Sequence, residues 1–207
     1  MIEKLGINFF ERDGRVVAKE LLGKILVRKY EEKVLIGKIV ETEAYIGEID
    51  KACHAYGGRK TPKIMPLYST CGIAYVYSIY GMYHCFNVIT GEENDPQGVL
   101  IRAVEPIEGL DEISKNRFKK VFNELKKKEI LNLTSGPSKL CIAFNIDKRL
   151  NTHSIFSDEL YIGSSSGIEK FEIVKSKRIG IDYSEEAKDF LWRYYIKNNK
   201  FVSVLDK

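Results

Sequence analysis

The stretch Ala74-Tyr75-Val76-Tyr77-Ser78-Ile79-Tyr80-Gly81-Met82-Tyr83-His84-Cys85-Phe86-Asn87-Val88-Ile89-Thr90 decides the fold class. Aromatic and β-branched residues fill both of its halves, and such side chains suit a pleated, half-buried surface. Gly81-Met82 interrupts the run, which predicts a tight hairpin between strands over 74–80 and 83–90. Strands joined so closely pair antiparallel. Alternate residues of a strand share a face, so Tyr75, Tyr77 and Ile79 point together while Tyr80 lies on the other side, next to the turn. A large aromatic at a hairpin tip contributes little to a core and is free to do something else.

Working outward, residues 24–30 and 34–45 read as strands joined by a polar turn at Glu31-Glu32-Lys33, and 99–104 as a strand ended by Glu105-Pro106. Apolar residues at helical spacing predict a helix over 13–22, with Gly23 as its stop. Further helices are expected over 110–127, from Gly136-Pro137-Ser138 onward, where proline suits a first turn, and over 185–194. Loop signals dominate 46–72, and a closing strand is expected over 201–205. No linker, repeat or shift in composition divides the chain. The expectation is one α+β domain over residues 1–207 with a largely antiparallel sheet.

Composition narrows the function classes. The chain has 207 residues, four cysteines, three histidines and a net charge of +4. Cys53, Cys71, Cys85 and Cys141 form no C-x-x-C pair, and His54, His84 and His153 are equally scattered, so neither a metal site nor a disulfide framework is expected. Reduced, mostly buried thiols are. No apolar run reaches the length of a membrane span, and Met1-Ile2-Glu3-Lys4-Leu5 lacks the layout of a secretory signal, so a soluble cytoplasmic protein is expected. The mild basic charge permits nucleic-acid binding without demanding it. Its densest cluster, Lys115 to Lys128, reads as a solvated helix face.

One further segment carries candidate chemistry. In Gly37-Lys38-Ile39-Val40-Glu41-Thr42-Glu43-Ala44-Tyr45, strand alternation puts Ile39, Glu41, Glu43 and Tyr45 on one face. Two carboxylates about 6.6 Å apart at the backbone can tune one another into an acid or a base if that face lines a cleft. Spacing alone favours an exposed edge strand with protective charges.

The segments 39–47, His54, Gly57-Gly58-Arg59-Lys60-Thr61-Pro62 and the hairpin together closely resemble the alkyladenine (3-methyladenine) DNA glycosylase family. The likeness continues through Asn87, Leu100-Ile101-Arg102-Ala103-Val104-Glu105-Pro106-Ile107-Glu108-Gly109, Gly136-Pro137-Ser138-Lys139-Leu140-Cys141, Arg178-Ile179-Gly180-Ile181 and Val202-Ser203-Val204-Leu205-Asp206. It covers nearly the whole chain in order. Lys63 to Tyr68 and Ser69-Thr70-Cys71 depart from it, standing where relatives carry more glycine, proline or basic residues.

The resemblance implies a curved sheet whose protruding hairpin enters the minor groove of double-stranded DNA. It also implies a monomeric, cofactor-free enzyme that removes alkylated or deaminated purines. On that basis Glu43 is the expected water-activating base, Arg102 helps hold the water, and the Ile179 carbonyl does the same. Tyr45, His54 and Tyr77 are expected to wall the base pocket, with Asn87 as a gate at its floor. Tyr80 is expected to fill the gap left by a flipped base, with Met82 beside it as a second intercalating residue, and Glu41 to be structural. The competing reading is a non-catalytic nucleic-acid-binding module of related fold. Glu43 discriminates, because a pure binder has no use for a carboxylate in a base-stacking pocket.

Overall fold

A computed structural model describes residues 2–165, 167 and 170–206. Its strands are β1 (Ile2–Lys4), β2 (Ile25–Tyr30), β3 (Lys33–Ile46), β4 (Ala74–Ile79), β5 (Tyr83–Thr90), β6 (Gln97–Glu108), β7 (Leu160–Ser165), β8 (Ile173–Ser176) and β9 (Arg193–Ile196). The helices are short: α1 (Ile7–Phe10), α2 (Gly14–Glu20), α3 (Leu110–Phe118), α4 (Lys127–Leu131) and α5 (Pro137–Ala143). The strands join in a single sheet in the order β1-β7-β2-β3-β6-β5-β4, with β9 on β3 and β8 on β9. Every pairing in it is antiparallel. An α+β fold with helices flanking an antiparallel sheet is therefore what these residues form.

β3 organises the molecule. Along one edge it pairs with β6 for nearly its whole length. Along the other it pairs first with β2 through residue 38 and then with β9 at Glu41, Thr42 and Glu43. The register against β6 slips on both sides of Glu41. Bulges of this kind bend a strand and re-aim its side chains. The expected exposed edge strand is thus overturned: β9, far away in sequence, covers that edge, and Glu41 and Glu43 are both fully buried.

Other expectations need correction. β6 runs on through Pro106 to Glu108 instead of ending at the proline. β5 pairs with it only from Gln97 to Leu100, so on that side no ladder reaches Pro106, and on the other a register shift lies beside its pairing with Gly37. The single helix expected over 110–127 breaks after Phe118, where Lys119 adopts a left-handed conformation (φ 60°). Phe118, Phe122 and Ile130 can then all reach the core, and the lysine cluster spreads over separate short turns. Residues 185–189 form only a 3-10 turn, and Tyr194 lies in β9. Residues 201–205 form no strand, because the chain there spends its hydrogen bonds on buried side chains of β3 and β9.

The core lies between α2, α5 and the sheet, with Phe10, Leu21, Ile39, Phe86, Ile101 and Phe144 among its fully buried members. All four cysteines are free and buried, as expected. Among the described residues no helix is long and apolar enough to cross a membrane.

Candidate active site

The register of β3 puts the Glu43 carboxylate, 0% exposed, in hydrogen-bonding reach of Tyr45, whose side chain walls a cleft. Its Oε1 accepts the backbone N–H of Ile179 at 2.8 Å and pairs with Arg102 Nη1 at 3.2 Å. Its Oε2 accepts the Tyr45 hydroxyl at 2.8 Å. Glu41 is held more completely. It accepts Arg102 Nε at 3.1 Å, Arg193 Nη1 at 3.0 Å, the Ser203 N–H at 2.7 Å and the Ser203 hydroxyl at 2.9 Å. Arg102 therefore sits between the two carboxylates, which do not face each other uncompensated. Burial, the largest single influence, pulls the Arg102 guanidinium down, but Glu43 and Glu41 together hold it above its ordinary value. Buried charges persist only with such pairing.

The cleft, of about 30 Å³, is walled by Tyr45, Ala52, Cys53, His54, Leu67, Tyr75, Tyr77, Asn87 and Gly98. His54 meets Tyr77 edge to face at 4.7 Å between ring centres, and Tyr75 lies 5.3 Å from Tyr77. His54 Nδ1 and the Tyr75 hydroxyl are hydrogen-bonded at 2.9 Å. Burial, with Arg59 adding to it, holds His54 below its ordinary value, so the imidazole is neutral at pH 7. Burial also pushes the phenols of Tyr45, Tyr75 and Tyr77 upward, so they remain hydrogen-bond donors at any physiological pH. Asn87 donates from Nδ2 to the Tyr75 carbonyl at 3.1 Å, which fixes its side chain at the cleft wall.

The hairpin β4–β5 begins in this cleft and ends outside it. Tyr80 is 89% exposed and Met82 70% exposed. Tyr80 (φ 51°) and Gly81 (φ 73°) both take left-handed backbone between the closing pair Ile79 and Tyr83. For tyrosine that conformation costs about 1–2 kcal/mol, and at the tip no packing offsets it. A second, wider cleft shares His54, Tyr75 and Tyr77 with the first and runs along the hairpin to Ile79, past Arg59, Thr61 and Lys63. It gives the site a cationic approach.

Glu43, Arg102, Ile179, Tyr45, His54, Tyr77 and Asn87 thus come together, drawn from β3, β4, β5, β6 and two loops, while Tyr80 and Met82 stand apart at the tip. Ile179 meets Glu43 through its N–H, a contact not anticipated from the sequence. Sequence reasoning also missed Tyr75 as a wall residue, although its shared face with Tyr77 was visible. Arg193 and Ser203, which lock Glu41, carried no local signal, and neither did the buried pair Asp50–Arg178.

A 3-methyladenine DNA glycosylase by name from Clostridium perfringens is 58% identical over 202 residues, covering 97% of this chain and 98% of its own. One of the same name from Clostridium acetobutylicum is 57% identical over 204 residues and 99% of each chain, and one from Clostridium tetani 57% identical over 97% and 98%. The family model described as methylpurine-DNA glycosylase matches residues 8–200. With a match of that length over a buried carboxylate and an aromatic cleft, the chain belongs to the methylpurine-DNA glycosylase family.

Proposed function

We propose that the chain, acting as a monomer and without a cofactor, flips alkylated or deaminated purines out of duplex DNA and hydrolyses their bond to deoxyribose. The observation that carries this reading is Glu43: a fully buried carboxylate bonded to Tyr45, Ile179 and Arg102 at the edge of an aromatic cleft. Each carboxylate oxygen offers two lone pairs. Oε1 takes the Ile179 N–H and faces the Arg102 guanidinium as an ion pair, whereas Oε2 takes only the Tyr45 hydroxyl among the described contacts. The remaining lone pair of Oε2 accepts a proton from water. That water adds to C1′ of the deoxyribose, the glycosidic electron pair leaves with the purine, and an abasic sugar and a free base result.

Purines methylated at N3 or N7 already carry positive charge and leave readily. The enzyme supplies position and stabilisation of a cationic sugar, and the buried carboxylates contribute to the second. Stacking on Tyr45 and Tyr77 favours an electron-poor base. Neutral His54 accepts such a base without repelling it. Tyr80, exposed and strained at the hairpin tip, takes the place of the extruded base, with Met82 beside it, and so offsets part of the few kcal/mol that flipping costs. A strand-cutting lyase needs an amine nucleophile, and none of the residues that wall the cleft is a lysine, so the reaction stops at the abasic site and the strand is left intact.

The test is base release from duplexes carrying 7-methylguanine, 3-methyladenine, hypoxanthine or ethenoadenine. Release of at least one, without borohydride-trapped adduct, is the expected result. Tight lesion binding with no release would support the binding-module reading instead. A trapped adduct would indicate a lyase.

A further inference from the structure

Asp50 and Arg178 have no part in the mechanism above, yet they form the most completely enclosed ion pair near the cleft. Arg178 Nη1 reaches Asp50 Oδ2 at 2.5 Å and Nη2 reaches Oδ1 at 2.7 Å, with both side chains fully buried. Asp50 also accepts the N–H groups of Ile46 and Ala52, and Arg178 donates to the carbonyls of Ala44 and Ala187. The guanidinium lies 4.7 Å from the centre of the Tyr45 ring and 5.1 Å from that of Trp192. Tyr45 walls the cleft and Arg178 does not, so the cation sits behind the ring that the cleft presents.

Charge balance makes this placement consequential. Among the described residues seven charged side chains are buried, and Arg28, paired with Glu159, is remote from the site. The other six are Glu41, Glu43, Asp50, Arg102, Arg178 and Arg193, three acids against three bases. A cation behind an aromatic ring withdraws the π density that would attract a second cation in front. Behind Tyr45 this is harmless only while Asp50 cancels it.

We propose that Asp50 is a specificity-determining positioning residue: by neutralising Arg178 behind Tyr45, it makes the cleft hospitable to positively charged purines over neutral ones. The inference rests on the glycosylase reading. With the 4.7 Å to the ring and a stacking gap of about 3.5 Å, a bound base lies about 8 Å from Arg178. At an effective dielectric near 20, one uncancelled charge at about 8 Å weakens a cationic base roughly 10- to 30-fold relative to a neutral one.

Single-turnover saturation kinetics on duplexes carrying 7-methylguanine (cationic) or ethenoadenine (neutral) read this directly. The quantity is the ratio of the two half-saturating concentrations, in which losses of folded protein and of general DNA affinity cancel. Asp50→Asn is expected to raise the ratio against 7-methylguanine by roughly 10- to 30-fold. The double variant Asp50→Asn/Arg178→Met restores it toward the unaltered value, whereas a purely structural role would leave the ratio unmoved in every variant. Arg178→Met alone, which leaves Asp50 uncancelled, shifts the ratio the opposite way and serves if Asp50→Asn fails to fold. An unchanged ratio in these variants, or shifts of the same sign in both singles, overturns the proposal while leaving the glycosylase reading intact. If the unaltered protein releases none of 7-methylguanine, 3-methyladenine, hypoxanthine and ethenoadenine, the glycosylase reading falls and this inference falls with it.

Discussion

Replacing Glu43 by glutamine separates chemistry from folding. The amide keeps the size of the side chain and one carbonyl oxygen, which can go on accepting the Ile179 N–H and facing Arg102. Its NH₂ takes the place of Oε2 against Tyr45, whose hydroxyl can accept as well as donate. The loss is proton affinity at the oxygen bonded to the cleft-wall residue Tyr45. General-base removal costs about 10²–10⁴ in rate, or roughly 2.7–5.4 kcal/mol of barrier.

Stability changes less. Breaking a buried ion pair outright costs about 3–5 kcal/mol. Arg102 keeps Glu41 at 3.1 Å, so the loss expected here is closer to the ~1–3 kcal/mol of one compromised buried hydrogen bond. Glu41→Gln should behave the other way round. Its carboxylate serves four donors from Arg102, Arg193 and Ser203, so unfolding is the main consequence and lost activity follows from it. The assay is single-turnover excision at matched folded fraction, alongside denaturant melts of both variants. Near-normal excision by Glu43→Gln, or a greater rate defect per folded molecule in Glu41→Gln, would refute the assignment of the base.

Tyr80→Ala should weaken engagement of a paired lesion by about 1–3 kcal/mol, the worth of one lost stacking contact, and leave the melting temperature unchanged because the side chain is exposed. Equal losses on paired lesions and on lesions opposite an abasic gap would refute the wedge. Asn87→Ser removes the side chain held against the Tyr75 carbonyl, and it is expected to raise guanine release from G·T duplexes while hypoxanthine release persists; no increase in guanine release removes the gating role. His54 is depressed below 6.5 by burial. Its neutral form therefore contributes stability that is complete above about pH 6.5 and is lost as pH falls through the depressed value. Binding of a cationic base should weaken over the same acid range and not between pH 7 and 8. His54→Gln should flatten the profile; a transition centred above pH 6.5, or one unaltered in His54→Gln, would exclude His54 as its source.

The parts of this protein that were legible in the sequence are those governed by near neighbours. The hairpin follows from alternation and a glycine, α2 from apolar residues at helical spacing with Gly23 as the stop, and α5 from a proline at its first turn. The side chains 110–127 defeat the same reasoning. Their local propensity is helical throughout, but burying Phe118, Phe122 and Ile130 together requires the break at Lys119. Propensity is worth tenths of a kcal/mol per residue, and burying one large apolar side chain about 1.5–3 kcal/mol, so packing decides.

The sequence by itself determined the antiparallel hairpin, the shared face of Tyr75 and Tyr77, and the presence of two carboxylates two positions apart on one strand. Which carboxylate meets the cleft wall through Tyr45, and which is locked away, was decided only by the tertiary structure. The Ile179 N–H reaches Glu43 from 136 residues away, and Ser203 reaches Glu41 from 162. A strand's period says which side chains share a face. Whether that face meets water, an arginine or a distant strand depends on the chain returning to it, and no window of neighbouring residues contains that information.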